Sequence, residues 1–339
     1  MRAQFIAQRL LWLLVSLIGI SIITFVISHV IPADPIRVAA GPNARQEQVE
    51  TLRREFGMDR PLPEQYLRYL AGLFQGNLGR SIRTRRPVLD DIKQYFPATL
   101  ELTITAMLIV ILVGIPVGVL SAVHRNGIID HATRLIALSG VSVPIFWLAL
   151  LMQLLFYAKL GLLPADGRIG LLINPPRQIS GLYLLDSLLS LNGTAFWSSL
   201  THLVLPAMTL AFGSLAVLTR MVRSSMLDVL NEDYMRTARS KGLPQHLVIY
   251  RHGLRNALIP ATTTMALQAG ALLGGVFLVE VVFSWPGIGF YAMKSLTSLD
   301  FPAIMGVTLL VTVIYALANL IADIAYCFLD PRISYESRG

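Results

Sequence analysis

Three acidic side chains, Glu101, Glu280 and Asp323, lie inside long apolar runs of this 339-residue chain. A charge at the centre of a bilayer costs about 2.5–3.5 kcal/mol on insertion scales, which a proton- or ion-coupled relay has to accept at the midplane. Glu101 falls near the start of its run and Glu280 near the end of its own, where both reach the interface. Asp323 sits past the middle of the last run by ~10 Å at a helical rise of 1.5 Å per residue. No ionisable side chain occupies the centre of a run, which weakens the reading as an ion-coupled secondary transporter. Gly213-Ser214 with His202 could supply the nucleophile and base of an intramembrane hydrolase, but Gly-Ser pairs also serve helix packing and nothing else supports a nucleophile. The six histidines form neither H-E-x-x-H nor a Cys/His pattern, and there is no G-x-x-x-x-G-K-S/T phosphate loop. The chain thus carries no metal-ligand pattern and no nucleotide site of that type, and energy has to enter from outside it.

The natural entry point is the stretch Met221 to Pro260, a basic island between two apolar runs. Leu227, Leu230, Tyr234 and Ala238 are spaced for one helical face, and Leu247, Tyr250, Leu254 and Leu258 repeat the pattern. Gly242 and Pro244 separate the halves, a helix stop followed by a helix start. The spacing predicts two short amphipathic helices meeting at a Gly242 corner. Seven cations, Arg220, Arg223, Arg236, Arg239, Lys241, Arg251 and Arg255, accompany them. A loop with this internal order is more than a connector.

The elements that hold this loop are membrane spans. The chain is 54% hydrophobic and 14% charged, with a mean hydropathy of +0.62, against roughly 25% charged residues in soluble domains. Apolar runs cover 10–31, 98–123, 135–158, 199–219, 257–282 and 303–328, six candidate spans of an all-α polytopic protein. The first run ends at Ile31-Pro32-Ala33-Asp34-Pro35 and not at a small-residue cleavage site, so it reads as an uncleaved span. The net charge of +8 is no nucleic-acid signal, because the cations cluster between spans, where they act as topology and lipid-headgroup contacts. Short segments on one side hold 13 Lys and Arg against 4 on the other. That bias places both termini and the 221–256 loop in the cytoplasm. The expected organisation is a tail and first span over 1–31, an extracytoplasmic helical region over 32–97, a five-helix core over 98–328 and a cytoplasmic tail over 329–339. Within 32–97, Pro42-Asn43 and Gln46 predict a reciprocally capped helix carrying Val49, Leu52 and Phe56. A second helix from Pro63 carries Leu67, Leu70 and Phe74 on one side. Arg80, Arg83, Arg85 and Arg86 form a charge run, either a solvated face or a partner contact. Cys327, the one cysteine, reads as a packing residue. Gly270, Gly274 and Gly275 either line a pathway or serve helix packing.

The loop resembles the membrane subunits of ATP-binding-cassette importers, in the dipeptide/oligopeptide/nickel group. The similarity is carried by Glu232-Asp233-Tyr234-Met235-Arg236-Thr237-Ala238-Arg239-Ser240-Lys241-Gly242 and by Arg251-His252-Gly253-Leu254-Arg255-Asn256-Ala257-Leu258-Ile259-Pro260. It extends through Pro32-Ala33-Asp34-Pro35, Gly57-Met58-Asp59-Arg60-Pro61, Gly76-Asn77-Leu78-Gly79-Arg80-Ser81, Pro97-Ala98-Thr99-Leu100-Glu101-Leu102, Phe283-Ser284-Trp285-Pro286-Gly287-Ile288-Gly289 and Asp330-Pro331-Arg332-Ile333. The resemblance implies a type I importer fold in the bacterial inner membrane. The chain would pair with a second homologous permease, two ATPase subunits that bind ATP and Mg, and an extracytoplasmic binding protein, and would itself bind no cofactor. Leu227, Leu230, Tyr234, Thr237, Ala238 and Gly242 would dock into an ATPase groove, with Arg236, Arg239 and Lys241 orienting the contact. The segment 167–191 resembles insertions in dipeptide-type permeases, which makes dipeptides the expected substrate, with nickel chelates, opines, glutathione and longer peptides as alternatives.

Overall fold

The computed structural model describes residues 2–30, 35–41 and 43–329. They form α1 (Arg2–Val30), α2 (Pro35–Ala40), α3 (Gln46–Glu55), α4 (Leu62–Phe74), α5 (Val88–Val123), α6 (Ile128–Ser142) and α7 (Ile145–Met152). These are followed by α8 (Tyr183–Leu189), α9 (Gly193–Leu230), α10 (Asp233–Ser240), α11 (Gln245–Leu247), α12 (Arg255–Val282), α13 (Ile288–Thr297) and α14 (Phe301–Leu329). Wider π-helical turns continue α7 over Gln153–Lys159 and lead into α12 over Val248–Leu254. Among the described residues there is no strand, only a single antiparallel bridge between Arg80 and Pro87. Asp330-Pro331-Arg332-Ile333, Pro32-Ala33-Asp34 and the side chains of Asp323 and Cys327 lie outside the described residues.

Among the described residues, five helices are long and apolar enough to span: the Leu11–Ser28 part of α1, α5, α9, the Thr264–Val282 part of α12, and the Phe301–Ala318 part of α14. The expected third span differs from its reading as one helix. It is the pair α6 and the α7 segment, bent by 112°, and it makes a sixth span only if both arms are counted together. Pro144 is the cause. It has no N–H for the Gly140 carbonyl, and it drives the preceding Val143 into extended backbone (φ −84°, ψ 125°).

The chain divides into two compact units, residues 1–99 with 286–316, and residues 100–285 with 317–339. In the first, α4 lies on α1: the hydroxyls of Tyr66 and Ser21 are 3.0 Å apart and Phe25 meets the Tyr66 ring edge-on at 5.2 Å. The packed face of α4 is therefore Tyr66, Tyr69 and Leu70, while Leu67 and Phe74, expected inward, are exposed. Tyr66 outcompetes the aliphatic stripe because its ring buries area while its hydroxyl still finds Ser21. The cap of α3 forms two residues later than expected, through Gln48 Oε1 accepting from the Arg45 N–H at 3.0 Å. A core of Val88, Ile92, Ile288, Tyr291, Ala303 and Val307 closes this unit. The arginine run is an ordered turn, anchored by the buried Asp300, which accepts from the Ser81 hydroxyl, the Ile82 N–H at 3.0 Å and the Arg83 N–H at 3.2 Å.

In the second unit α9 is the central helix, packed by α6, α7, α8 and α12. Its N-terminus is capped by Asn192, whose side chain accepts from the Ala195 N–H at 3.0 Å. At Gly140 a Cβ would stand 2.7 Å from Ala216 Cβ and 3.1 Å from the Phe212 carbonyl. Only glycine lets α6 approach α9 this closely.

Candidate functional site

The basic island folds differently from two simple helices. α9 runs without interruption to Leu230, so Leu227 and Leu230 belong to the end of a long helix and are half-buried. Asn231 ends it, and Glu232 turns extended (φ −68°, ψ 149°) to start the eight-residue α10. Asp233 stands in the first turn of α10 and Arg239 in its last turn, each complementing the helix dipole. At the corner Gly242 takes φ +74°, the left-handed region in which a side chain is strained, and its N–H bonds the Arg239 carbonyl at 3.0 Å.

The inward face of α10 is Met235 and Ala238, buried against Val248, with Val229, Leu230 and Leu243 around them. Ala238, expected as a surface contact, is turned into this small core. Met235, which the sequence reading left out, is its fully buried anchor. Fully burying a side chain of that size stabilises by about 1.5–3 kcal/mol, and an eight-residue helix needs such support because it is too short to stand alone. Met235 and Ala238 are three residues apart, a spacing that could have marked them as one face. The outward face holds Tyr234, Arg236, Thr237, Arg239 and Lys241, all exposed together with Gly242. Two ties fix the orientation of this face: the Asn256 amide donates to the Tyr234 hydroxyl at 2.9 Å, and the Arg239 guanidinium donates to the Leu230 carbonyl at 3.4 Å. The exposed Arg236–Asp233 pair at 3.4 Å adds little.

Arg223 is turned away from that surface. Its guanidinium grips the buried Asp130 with two bonds, Nε to Oδ1 at 2.6 Å and Nη2 to Oδ2 at 2.8 Å. Asp130 also accepts from the Ser121 hydroxyl at 2.7 Å and the Asn126 N–H at 2.9 Å. The base of the basic island is thereby clamped to the α5–α6 turn.

The acids inside the spans are placed as follows. Glu101 is buried and paired, with Oε2 accepting from Arg168 Nη2 at 2.6 Å and Nε at 2.9 Å, and Oε1 accepting from the Leu184 N–H at 2.8 Å. Arg168 also donates to the Gly181 carbonyl at 2.7 Å and lies 3.8 Å over the Tyr183 ring. Glu280 is fully buried. Ser214 and His202 form no dyad. The His202 ring bonds the Ser198 carbonyl at 2.7 Å, and twelve helical residues separate it from Ser214, ~18 Å along the axis. Of the three glycines, Gly270 is buried, Gly274 is exposed with open space where a Cβ would stand, and Gly275 lines a cavity between α6, α7, α9 and α12.

The family described as binding-protein-dependent transport system inner membrane component matches residues 114–335, and its N-terminal companion matches residues 2–103. The chain is 48% identical to a probable D,D-dipeptide transport system permease protein of Escherichia coli over 96% of each chain. It is 44% identical to a dipeptide transport system permease protein of Alkalihalophilus pseudofirmus over 97% of this chain and 98% of that one. It is also 39% identical to a glutathione transport system permease protein of Escherichia coli, over 98% of this chain and 99% of that one. With that coverage, an all-helical build and five or six apolar spans, the chain belongs to the inner-membrane permease family of binding-protein-dependent transport systems.

Proposed function

We propose that this chain is a passive permease subunit of an ATP-driven importer of dipeptides, moved by ATPase partners that grip α10. The carrying observation is the two-faced construction of α10. Met235 and Ala238 bind it to the chain's own core, and Tyr234, Arg236, Thr237, Arg239 and Lys241 present a rigid exposed face at the end of a 38-residue helix. A helix fixed this way transmits a push as rigid-body motion, whereas a flexible loop would absorb it. The peptide substrate is supported by the relatives named for dipeptide transport, which stand above the glutathione permease in identity. A second homologous permease would complete the pathway, two ATPases would hold ATP and Mg, and an extracytoplasmic binding protein would deliver the peptide. The cation bias of the short loops supports a cytoplasmic position for α10 and both termini.

Cysteines at Tyr234 and Lys241 in a Cys327→Ala background test both the docking and the side. The expected result is cross-linking to a co-expressed ATPase subunit and no labelling by an impermeant thiol reagent added outside intact cells. Labelling from outside, or peptide accumulation by vesicles holding this chain alone, would refute the proposal.

A further inference from the structure

The second unit contains a cavity of about 290 Å³ where α6, α7, α9 and α12 meet, near the lower end of the ~300–1,000 Å³ typical of small-molecule sites. Gly140, Val143, Ile145, Ser214, Gln268 and Gly275 are among its lining residues. Three features make it unlike a packing defect. First, its wall includes Val143, the extended residue before the Pro144 break, and non-helical backbone within a membrane protein is tolerated where it is buried in protein or lines a water-filled cavity. Second, Ser214 is only 7% exposed, yet among the described residues its hydroxyl has no hydrogen-bond partner. Thr209, one and a half turns earlier and also on the wall, returns its hydroxyl to the Leu205 carbonyl at 2.8 Å in the usual helical way. Third, the Gln268 amide, half-buried opposite on α12, likewise has no partner among the described residues. The cavity is open-sided, and unpaired polar groups facing it call for water or a ligand to bond them.

We infer that Gln268 and Ser214 form a peptide-backbone subsite in the import pathway, an assignment that rests on the peptide-importer reading. A glutamine amide offers both donors and an acceptor, and a serine hydroxyl offers either. A peptide backbone presents one N–H and one C=O at each residue whatever the side chain. The remaining wall is apolar apart from Thr209, whose hydroxyl is already bonded, so it offers a passing side chain no charged partner. The site therefore recognises a feature that all dipeptides share, the amide linkage, and Gly213-Ser214 supplies a hydrogen-bonding group and not a nucleophile.

The test uses the complete complex with its partner subunits in proteoliposomes, carrying Gln268→Cys or Ser214→Cys in the Cys327→Ala background. A charged, impermeant methanethiosulfonate should label both positions during ATP turnover, and excess dipeptide should slow labelling at least threefold. Labelling only by a membrane-soluble maleimide would show a lipid-facing crevice and overturn the inference, as would labelling that dipeptide leaves unchanged. Should a cysteine variant fail to assemble, Gln268→Leu, of similar size and without the amide, decides. Uptake should fall about tenfold for small and bulky dipeptides alike, and unchanged uptake would overturn the assignment. The unsubstituted complex separates the two levels of the argument: if it imports dipeptide while position 268 labels only from lipid, the subsite alone fails. If it imports no peptide, the peptide-importer reading fails with it.

Discussion

Replacing Arg223 by methionine tests whether the basic island is clamped to the rest of the permease. The side chain leaves Asp130 fully buried with two of its four hydrogen bonds, those from Ser121 and Asn126. Removing one partner of a buried pair costs about 3–5 kcal/mol, because an uncompensated charge remains. Arg223 keeps 18% of its side chain exposed, which places the expectation at the lower end, about 3 kcal/mol, or more than a hundredfold in the folding equilibrium. Asp130→Asn combined with Arg223→Met should recover most of that loss, since neither charge is then stranded. The coupling energy of the double-mutant cycle should be at least about 2 kcal/mol. Steric trapping in bicelles reads the unfolding free energy directly, and peptide uptake by the reconstituted complex reads function. A loss below about 1 kcal/mol for Arg223→Met, or strictly additive single mutants, would refute the clamp. Loss of uptake with unchanged stability would also refute it, placing Arg223 on the partner surface.

Three further outcomes follow from the same geometry. Gly242→Pro demands φ near −65° where the backbone has +74°, and it removes the N–H bonded to Arg239. It should cost about 3 kcal/mol or more and abolish uptake while membrane insertion, read by protease protection, persists. Burial pushes the Asp186 carboxyl up, but the Ser180 hydroxyl and the Ser180, Ile179 and Gly181 N–H groups override it and hold the carboxyl below its ordinary value. Its stabilising contribution is then complete above the unfolded-state value of about 3.9 and is lost as pH falls through the lower folded value. Melting temperatures of the complex should drop on acidification in that window, and Asp186→Asn should flatten the drop. Asp300→Ala releases the Ser81 hydroxyl and the Ile82 and Arg83 N–H groups, so amide exchange across Arg80–Pro87 should accelerate at least tenfold by mass spectrometry.

Spans were legible because their signal is local: some twenty apolar residues in a row need no knowledge of what they touch. Where a run had a second cause, the reading was incomplete. Pro144 sits inside an apolar run and still breaks it, because backbone geometry outranks composition at that point. α4 shows the same limit on a smaller scale. Leu67 and Phe74 carry the apolar stripe, yet Tyr66 and Tyr69 win the contact with α1 because the partner surface offers Ser21 and Phe25.

The site divides along the same line. Gly242 and the outward residues of α10 could be read in order, since a helix stop and an exposed face are properties of a short stretch. The clamps could not. Asp130 stands 93 residues from Arg223 and Glu101 67 residues from Arg168, and no periodicity joins them. Arg168 was counted among the cations of the short loops, and Arg223 among the seven cations of the basic island. Both are instead the counterions of buried acids. The Glu101 case also changes the argument about energy coupling. An acid near a span end looked tolerable because it could reach water, whereas it is tolerated because Arg168 and the Leu184 N–H neutralise it in place. The guanidinium on one oxygen and the backbone N–H on the other tie α5 to the segment that carries Arg168 and Leu184.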